Sequence, residues 1–306
     1  IKKDYTGLLM NKLFFLLSIT LMTMTLGACS PKPPHGYTGY LYFAQGNYLT
    51  RFSLRDGSLS VTANFGDMSI REISAFGENR LFLAGTAAIN RRTVPRISWI
   101  DLETGEKVAQ YSGILARYMA NAKIVIYDDG IKLYAVPQGS GGAPDEIIYA
   151  HGLNRITTVL EVSDDTLLFE TGEPGKRVIR AWDAVTGQQR LLDELTATCE
   201  LVGAVWLKSL RQLACRKRGS AIEASEYVLV NLGGQVVDRL ALPEGGRFTA
   251  LTYIPGQSAL VLKENWIGAI GGQEKSAVWI HDVRTGENTR LSKHLNLGSS
   301  VIFTKI

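Results

Sequence analysis

The sequence predicts an all-β chain folded as a six-bladed β-propeller of four-stranded antiparallel blades. Three observations predict it. An aromatic strand followed by an acidic residue and a Thr-Gly turn recurs along the chain. The recurrence defines units of 41 to 52 residues, a period typical of propeller blades. The two ends complement each other, because the first unit lacks an innermost strand and the last segment lacks a partner.

The phrase is complete at Trp99-Ile-Asp-Leu-Glu-Thr-Gly105, Trp182-Asp-Ala-Val-Thr-Gly187 and Trp279-Ile-His-Asp-Val-Arg-Thr-Gly286. Weaker copies are Phe52-Ser-Leu-Arg-Asp-Gly57 and Val230-Asn-Leu-Gly-Gly234, with a blurred one around Leu133 to Gly139. Within one unit, Phe248 to Tyr253, Ser258 to Leu262, Ala277 to His281 and Asn288 to Leu291 alternate as strands. Ile254 to Gln257 and Thr285-Gly286 are the turns, and glycine accepts the positive φ that such hairpins need. Asp101, Asp183 and Asp282 are expected to cap the turn amides through their carboxylates. Trp99, Trp182 and Trp279 are expected to pack between blades. Tyr40 to Phe43 corresponds to a second strand, and Ser300 to Thr304 is expected to supply the missing inner one, closing the ring and removing its open sheet edges.

An address precedes the ring. Residues 10–28 begin with Met10-Asn11-Lys12, continue into a 15-residue apolar run from Leu13 to Gly27, and end in small residues before Cys29. That is the plan of a secretory signal, and the run is short of the ~20 residues a membrane helix needs. Residues 1–9 lack signal character and read as translated upstream sequence or a cloning remnant. The Leu26-Gly27-Ala28-Cys29 ending resembles the lipobox of bacterial lipoproteins, which implies cleavage before Cys29 and lipidation of that residue. Ser30 stands where lipoproteins retained at the inner membrane carry Asp. The resemblance therefore implies the periplasmic side of the outer membrane of a Gram-negative bacterium. Residues 29–36 follow as a lipidated Cys and a Pro-rich tether, and 37–306 as the propeller domain.

Without residues 1–28 the chain has 30 basic and 28 acidic side chains, too balanced to argue for nucleic acid. Cys199 and Cys215 remain as an even pair, read either as a disulfide or as two buried thiols. The turn expected at Lys208 to Arg211 does not set them directly opposite. The Asp-x-x-Thr-Gly phrase resembles the repeats of WD40/YVTN-like and quinoprotein-like propellers. The stretch from Val278 to Leu291 is similar to the TolB-type repeat. These motifs imply a blade rather than an activity.

Catalytic signatures are thin. His35, His151, His281 and His294 are widely spaced, and no zinc, P-loop or nucleophile-elbow motif is present. No cofactor, metal or catalytic residue is assigned. Asp128-Asp129 and Asp164-Asp165 read as surface turns, with calcium ligation as the alternative. Gly139 to Gly142 reads as a flexible turn.

One side of the ring is expected to carry tight turns and the other long connections: Gly85 to Pro95, Thr171 to Lys176, Lys217 to Ser225 and Glu264 to Gln273. Arg91, Arg92, Arg218 and Trp266 make the second side the candidate partner-binding face. The expected function is a lipid-anchored interaction or scaffolding module of the cell envelope. The alternative is a lactonase-like or sugar-dehydrogenase-like enzyme, or a small-ligand binder, using the central channel. An apolar channel would favour the first; gathered Asp, Glu, Asn or His would favour the second.

Overall fold

The computed structural model describes residues 36–90, 92–138, 146–151, 155–163, 165–172, 177–219, 226–243, 247–267, 274–292, 295, 297–298 and 300–305. Among the described residues, twenty-four strands form six four-stranded antiparallel sheets. Blade 1 holds β1 (Tyr40–Gln45), β2 (Tyr48–Ser53) and β3 (Leu59–Asn64). Blade 2 holds β4 (Met68–Ala75), β5 (Arg80–Ile89), β6 (Arg92–Asp101) and β7 (Lys107–Tyr111). Blade 3 holds β8 (Leu115–Met119), β9 (Ile124–Asp128), β10 (Lys132–Pro137) and β11 (Glu146–Ala150). Blade 4 holds β12 (Ile156–Glu161), β13 (Thr166–Thr171), β14 (Val178–Asp183) and β15 (Gln189–Leu191). The single described helix, α1 (Asp193–Thr198), leads into blade 5, with β16 (Cys199–Leu207), β17 (Gln212–Lys217), β18 (Tyr227–Val230) and β19 (Val236–Arg239). Blade 6 holds β20 (Arg247–Ile254), β21 (Ala259–Ile267), β22 (Glu274–Asp282) and β23 (Asn288–Ser292).

The last strand, β24 (Val301–Thr304), pairs with β1 from Tyr40↔Thr304 to Phe43↔Val301 and is the inner strand of blade 1. The expected closure is present. Ser300 tightens it: its hydroxyl accepts from the Ile73 amide at 2.9 Å and donates to the Ile73 carbonyl at 3.0 Å, tying the closing segment to β4.

Alternation makes the core. Successive side chains of a strand point to opposite sheet faces, so each blade packs against both neighbours. Leu41 and Phe43 bury against blade 6 with Val261, Val278 and Ile280, while Tyr42 turns to blade 2 with Ile73 and Leu83. Six such clusters fill the six blade interfaces. The tryptophans belong to them. Trp182 is fully buried between blades 3 and 4. Trp99 and Trp279 pack against adjoining interfaces, with Arg80 and Arg290 placed 5.0 and 5.2 Å over their rings.

The turn aspartates cap as expected. Asp101 Oδ1 accepts from the Glu103 and Thr104 amides at 3.0 and 2.9 Å, and Asp183 and Asp282 repeat this with the amides two and three residues on. In blade 5 Asn231 Oδ1 plays a related part, accepting from the amides of Gly233 and Gln235, two and four residues on. These bonds hold the Asp101 and Asp183 carboxyls below the usual carboxylate range, and the Ser58 amide and hydroxyl lower Asp56 to about 2.

Two expected connections prove to be strand over much of their described length. Gly85 to Ile89 pairs with Arg92 to Arg96, and β21 and β22 stay paired to Ile267↔Glu274. Pro95 is tolerated because β7 begins pairing only at Ile97, so no outer strand requires its missing amide.

Candidate functional site

The inner strands β4, β8, β12, β16, β20 and β24 enclose a central channel of about 670 Å³. They are less regular than the rest of the sheet. In blade 2 the register shifts between Ile70 and Glu72, in blade 4 between Ile156 and Thr158, and in blade 6 between Ala250 and Thr252. Each shift leaves one extra residue, Arg71, Thr157 or Leu251, and all three line the channel. Bulges of this kind re-aim side chains at the rims of sheets and beside sites. The cause is visible locally: two residues separate apolar positions in Ile70-Arg-Glu-Ile73 and Ile156-Thr-Thr-Val159, where strand alternation allows one.

The lining mixes charges, hydroxyls and apolar groups. Arg117 pairs with Glu72 across blades 2 and 3 and donates to the Ala116 carbonyl at 2.8 Å. Glu161 and Lys208 also line the channel, beside Leu160, Val205, Trp206 and Leu251. It is not an apolar plug, and of the Asp, Glu, Asn and His side chains that would favour a small-molecule site it holds Glu72 and Glu161 among the described residues. Among the described residues no three His, Cys, Asp or Glu side chains could share a metal ion. A smaller hollow of about 340 Å³ lies near the start of β5, where Arg80 and Asp101 already pair at 3.2 Å.

Two buried charged groups adjoin the hairpin end of the ring. Glu170, fully buried in β13, accepts from Arg218 at 2.6 Å, Arg177 at 3.5 Å and the Thr157 hydroxyl at 2.9 Å. A carboxylate that deep requires such partners. The bulge of β12 thus supplies one ligand of this cluster. In blade 3, Asp128 is 2% exposed, and its Oδ2 lies 3.3 Å from His151 Nε2. Burial pushes the Asp128 carboxyl up, against the opposing pull of the Gly130 amide and of His151. The surface-turn expectation therefore fails for Asp128, because the Leu115↔Asp128 pairing draws it into the sheet. Asp129 does occupy the turn, accepting from the Ile131 and Lys132 amides at 2.7 and 2.8 Å.

Cys199 and Cys215 are joined as a disulfide, with Cα atoms 5.9 Å apart. The doubt raised by their spacing is resolved by the register. Val205↔Ala214 is followed by Glu200↔Arg216, so β16 carries three more residues than β17 over that stretch and slides Cys199 toward Cys215.

The face residues disperse. Arg92 is exposed at the start of β6. Arg218 is half-buried and engaged by Glu170 and the Cys199 carbonyl, at 2.6 and 3.0 Å, so it braces blades 4 and 5 and is not a free cation. Trp266 lies in β21 opposite Lys275. Arg91, Cys29, His35, Asp164, His294 and Gly139 to Gly142 lie outside the described residues, as do the connections 173–176, 220–225 and 268–273. Sequence reading missed Arg71, Glu170 and the Asp128–His151 pair. A charge inside the apolar strand Leu167-Leu-Phe-Glu-Thr171 was the available signal for Glu170.

No protein-family model matches the chain, and no curated protein matches it. Solved structures do. The putative TolB from Agrobacterium tumefaciens aligns with a TM-score of 0.56 at 12% identity, over 88% of this chain and 100% of that one. TolB from Acinetobacter baumannii gives 0.55 at 10%, over 89% and 67%. The oligogalacturonate lyase from Vibrio parahaemolyticus gives 0.51 at 13%, over 80% and 74%. The chain spans only 41% of a prolyl endopeptidase and 46% of a puromycin-hydrolysing peptidase from Mycobacterium tuberculosis. At these identities the likeness is one of fold, shared by proteins named for different activities.

Proposed function

We propose that the protein is a lipid-anchored propeller on the periplasmic side of the outer membrane that docks an envelope protein through its hairpin face. The observation that carries this is a saddle. Blades 1, 2 and 6 are aligned at their outer turns, where Gly57, Gly105 and Gly286 amides donate back to Ser53, Asp101 and Asp282 carbonyls at 2.9 Å. From that level β1 and β2 run six residues, β5 and β6 ten, and β21 and β22 nine. Blades 2 and 6 therefore rise roughly 10 Å above blade 1 at ~3.3 Å per residue. Their ribbons flank the short Gly46-Asn47 turn, with Ile89 and Tyr48 each about 40% exposed. Two raised walls around a low floor make a seat for a protruding element of another protein.

Orientation supports the reading. Thr38 bonds to Gln257 in the β20–β21 turn, so the chain enters blade 1 from the tight-turn side. A short tether from Cys29 would leave the saddle facing away from the lipid. The disulfide suits an oxidising compartment. Among the described residues no helix is long and apolar enough to cross a membrane.

The test uses the full chain in membranes. Cys29→Ala should move the protein to the soluble periplasmic fraction. Paired Arg92→Glu and Trp266→Ala should abolish capture of a specific envelope protein while the melting temperature holds. Capture unaffected by those changes would remove the docking reading.

A further inference from the structure

We infer that the central channel binds a small organic oxyanion, held by Arg71 with the hydroxyls of Thr158 and Thr252. This rests on the channel alone and is independent of the docking reading. Arg71, Thr158 and Thr252 come from blades 2, 4 and 6, every second blade around the ring, and all line the same cavity. Each stands at or directly after a single-residue bulge.

The state of the lumen's cations points to a ligand. Arg117 is taken by Glu72 and the Ala116 carbonyl, and Lys208 is also engaged. Arg71 is exposed to the lumen, and its side chain makes no ion pair or hydrogen bond among the described residues. The Thr158 and Thr252 hydroxyls are likewise uncommitted there, whereas the Thr157 hydroxyl is spent on Glu170 and that of Ser300 on β4. A guanidinium in a walled cavity presents a planar fork that matches a carboxylate or phosphate by two parallel hydrogen bonds. The hydroxyls offer further donors, and their acceptor capacity suits hydroxyl groups on the same ligand. About 670 Å³ lies within the size range of small-molecule sites.

Isothermal titration of the full chain with citrate, inorganic phosphate and neutral glycerol tests this. Saturable, salt-weakened binding of citrate or phosphate, without glycerol heat, is expected. The anion that binds tells a carboxylate site from a phosphate site. Arg71→Gln should weaken binding at least about tenfold, since a charge-assisted bond is lost. Arg92→Glu, on the saddle, should leave the titration unchanged. If Arg71→Gln folds poorly, paired Thr158→Val and Thr252→Val provides the second reading, with weakened binding expected. No saturable binding of either anion in the millimolar range overturns the inference. So does undiminished affinity in both variants.

Discussion

The outer turns and the inner strands of this ring obey different rules. At the outer turns, blades 2, 4 and 6 repeat one device: an aspartate accepts two amides, and Gly105, Gly187 or Gly286 takes φ near +70°. Along the channel the same three blades each insert one residue into β4, β12 or β20, and the inserted residues are an arginine, a threonine and a leucine. The contrast teaches where each part of the sequence acts. Repetition builds a frame whose chemistry is alike all round, and irregularity places distinct side chains in the lumen. Blades 1 and 3 lack an inner-strand register shift, and blade 5 has a larger one, so the ring alternates strong-phrase and weak-phrase blades.

The comparison breaks most completely if the frame is opened. Deleting residues 299–306 removes β24, leaves the inner edge of β1 unpaired and uncovers the cluster around Leu41 and Phe43. Aggregation on expression, or loss of a cooperative melt in calorimetry, is the expected outcome. A truncated chain as stable as the full one would mean that closure contributes little.

The bulged stretch of β16 gives the next effect. Reductant should lower urea-measured stability by about 3 kcal/mol, the loop-entropy value for a bridge of this span, since Cys199 and Cys215 are 16 positions apart. An unchanged midpoint with and without reductant would argue for free thiols.

A bulge also needs room. A Cβ on Gly85 would lie 2.0 Å from the Ser69 carbonyl oxygen, against rigid backbone at the β4 bulge. Gly85→Ala is expected to cost about 2 kcal/mol through overpacking. It should also weaken anion binding in the channel, because the bulge that sets Arg71 must shift. A stable variant with unchanged titration would separate the bulge from the site.

The smallest effect sharpens the frame. Asp56, Asp101 and Asp183 titrate below their unfolded values, so their capping is fully present above the ordinary carboxylate range and fades as pH falls through it toward 2. Asn231 caps its turn through two amides, those of Gly233 and Gln235, without titrating. Asp183→Asn should therefore melt like the parent at neutral pH and lose less stability on acidification. A parallel acid profile would assign the acid loss to other groups.

The legibility of the chain follows the same division. Turn chemistry is local, so Asp-x-x-Thr-Gly announces itself, and the closing strand was legible from an unmatched Tyr40 and an unmatched Val301. The channel was not, because its wall is assembled from six segments far apart in the sequence. Long connections were misread at Gly85 to Pro95 and Glu264 to Ile267, since Gly and Pro in one case and charge in the other masked pairing that the ribbon partner supplies. Arg218 read as a surface cation because Glu170, its buried partner, lies 48 positions away.

Closure by β24 also sets a clock. Ser300 and Ile73 are 227 positions apart, and β1 waits for a strand that follows every other strand in the sequence. Contacts this distant form slowly, because the intervening loop must first be gathered. During that interval Tyr40-Leu-Tyr-Phe43 stands as a bare apolar edge, the kind of segment that pairs with whatever strand arrives first. Survival of the nascent ring therefore depends on the last strand outrunning a neighbouring molecule, which makes crowding during folding, more than heat afterwards, the hazard this architecture carries.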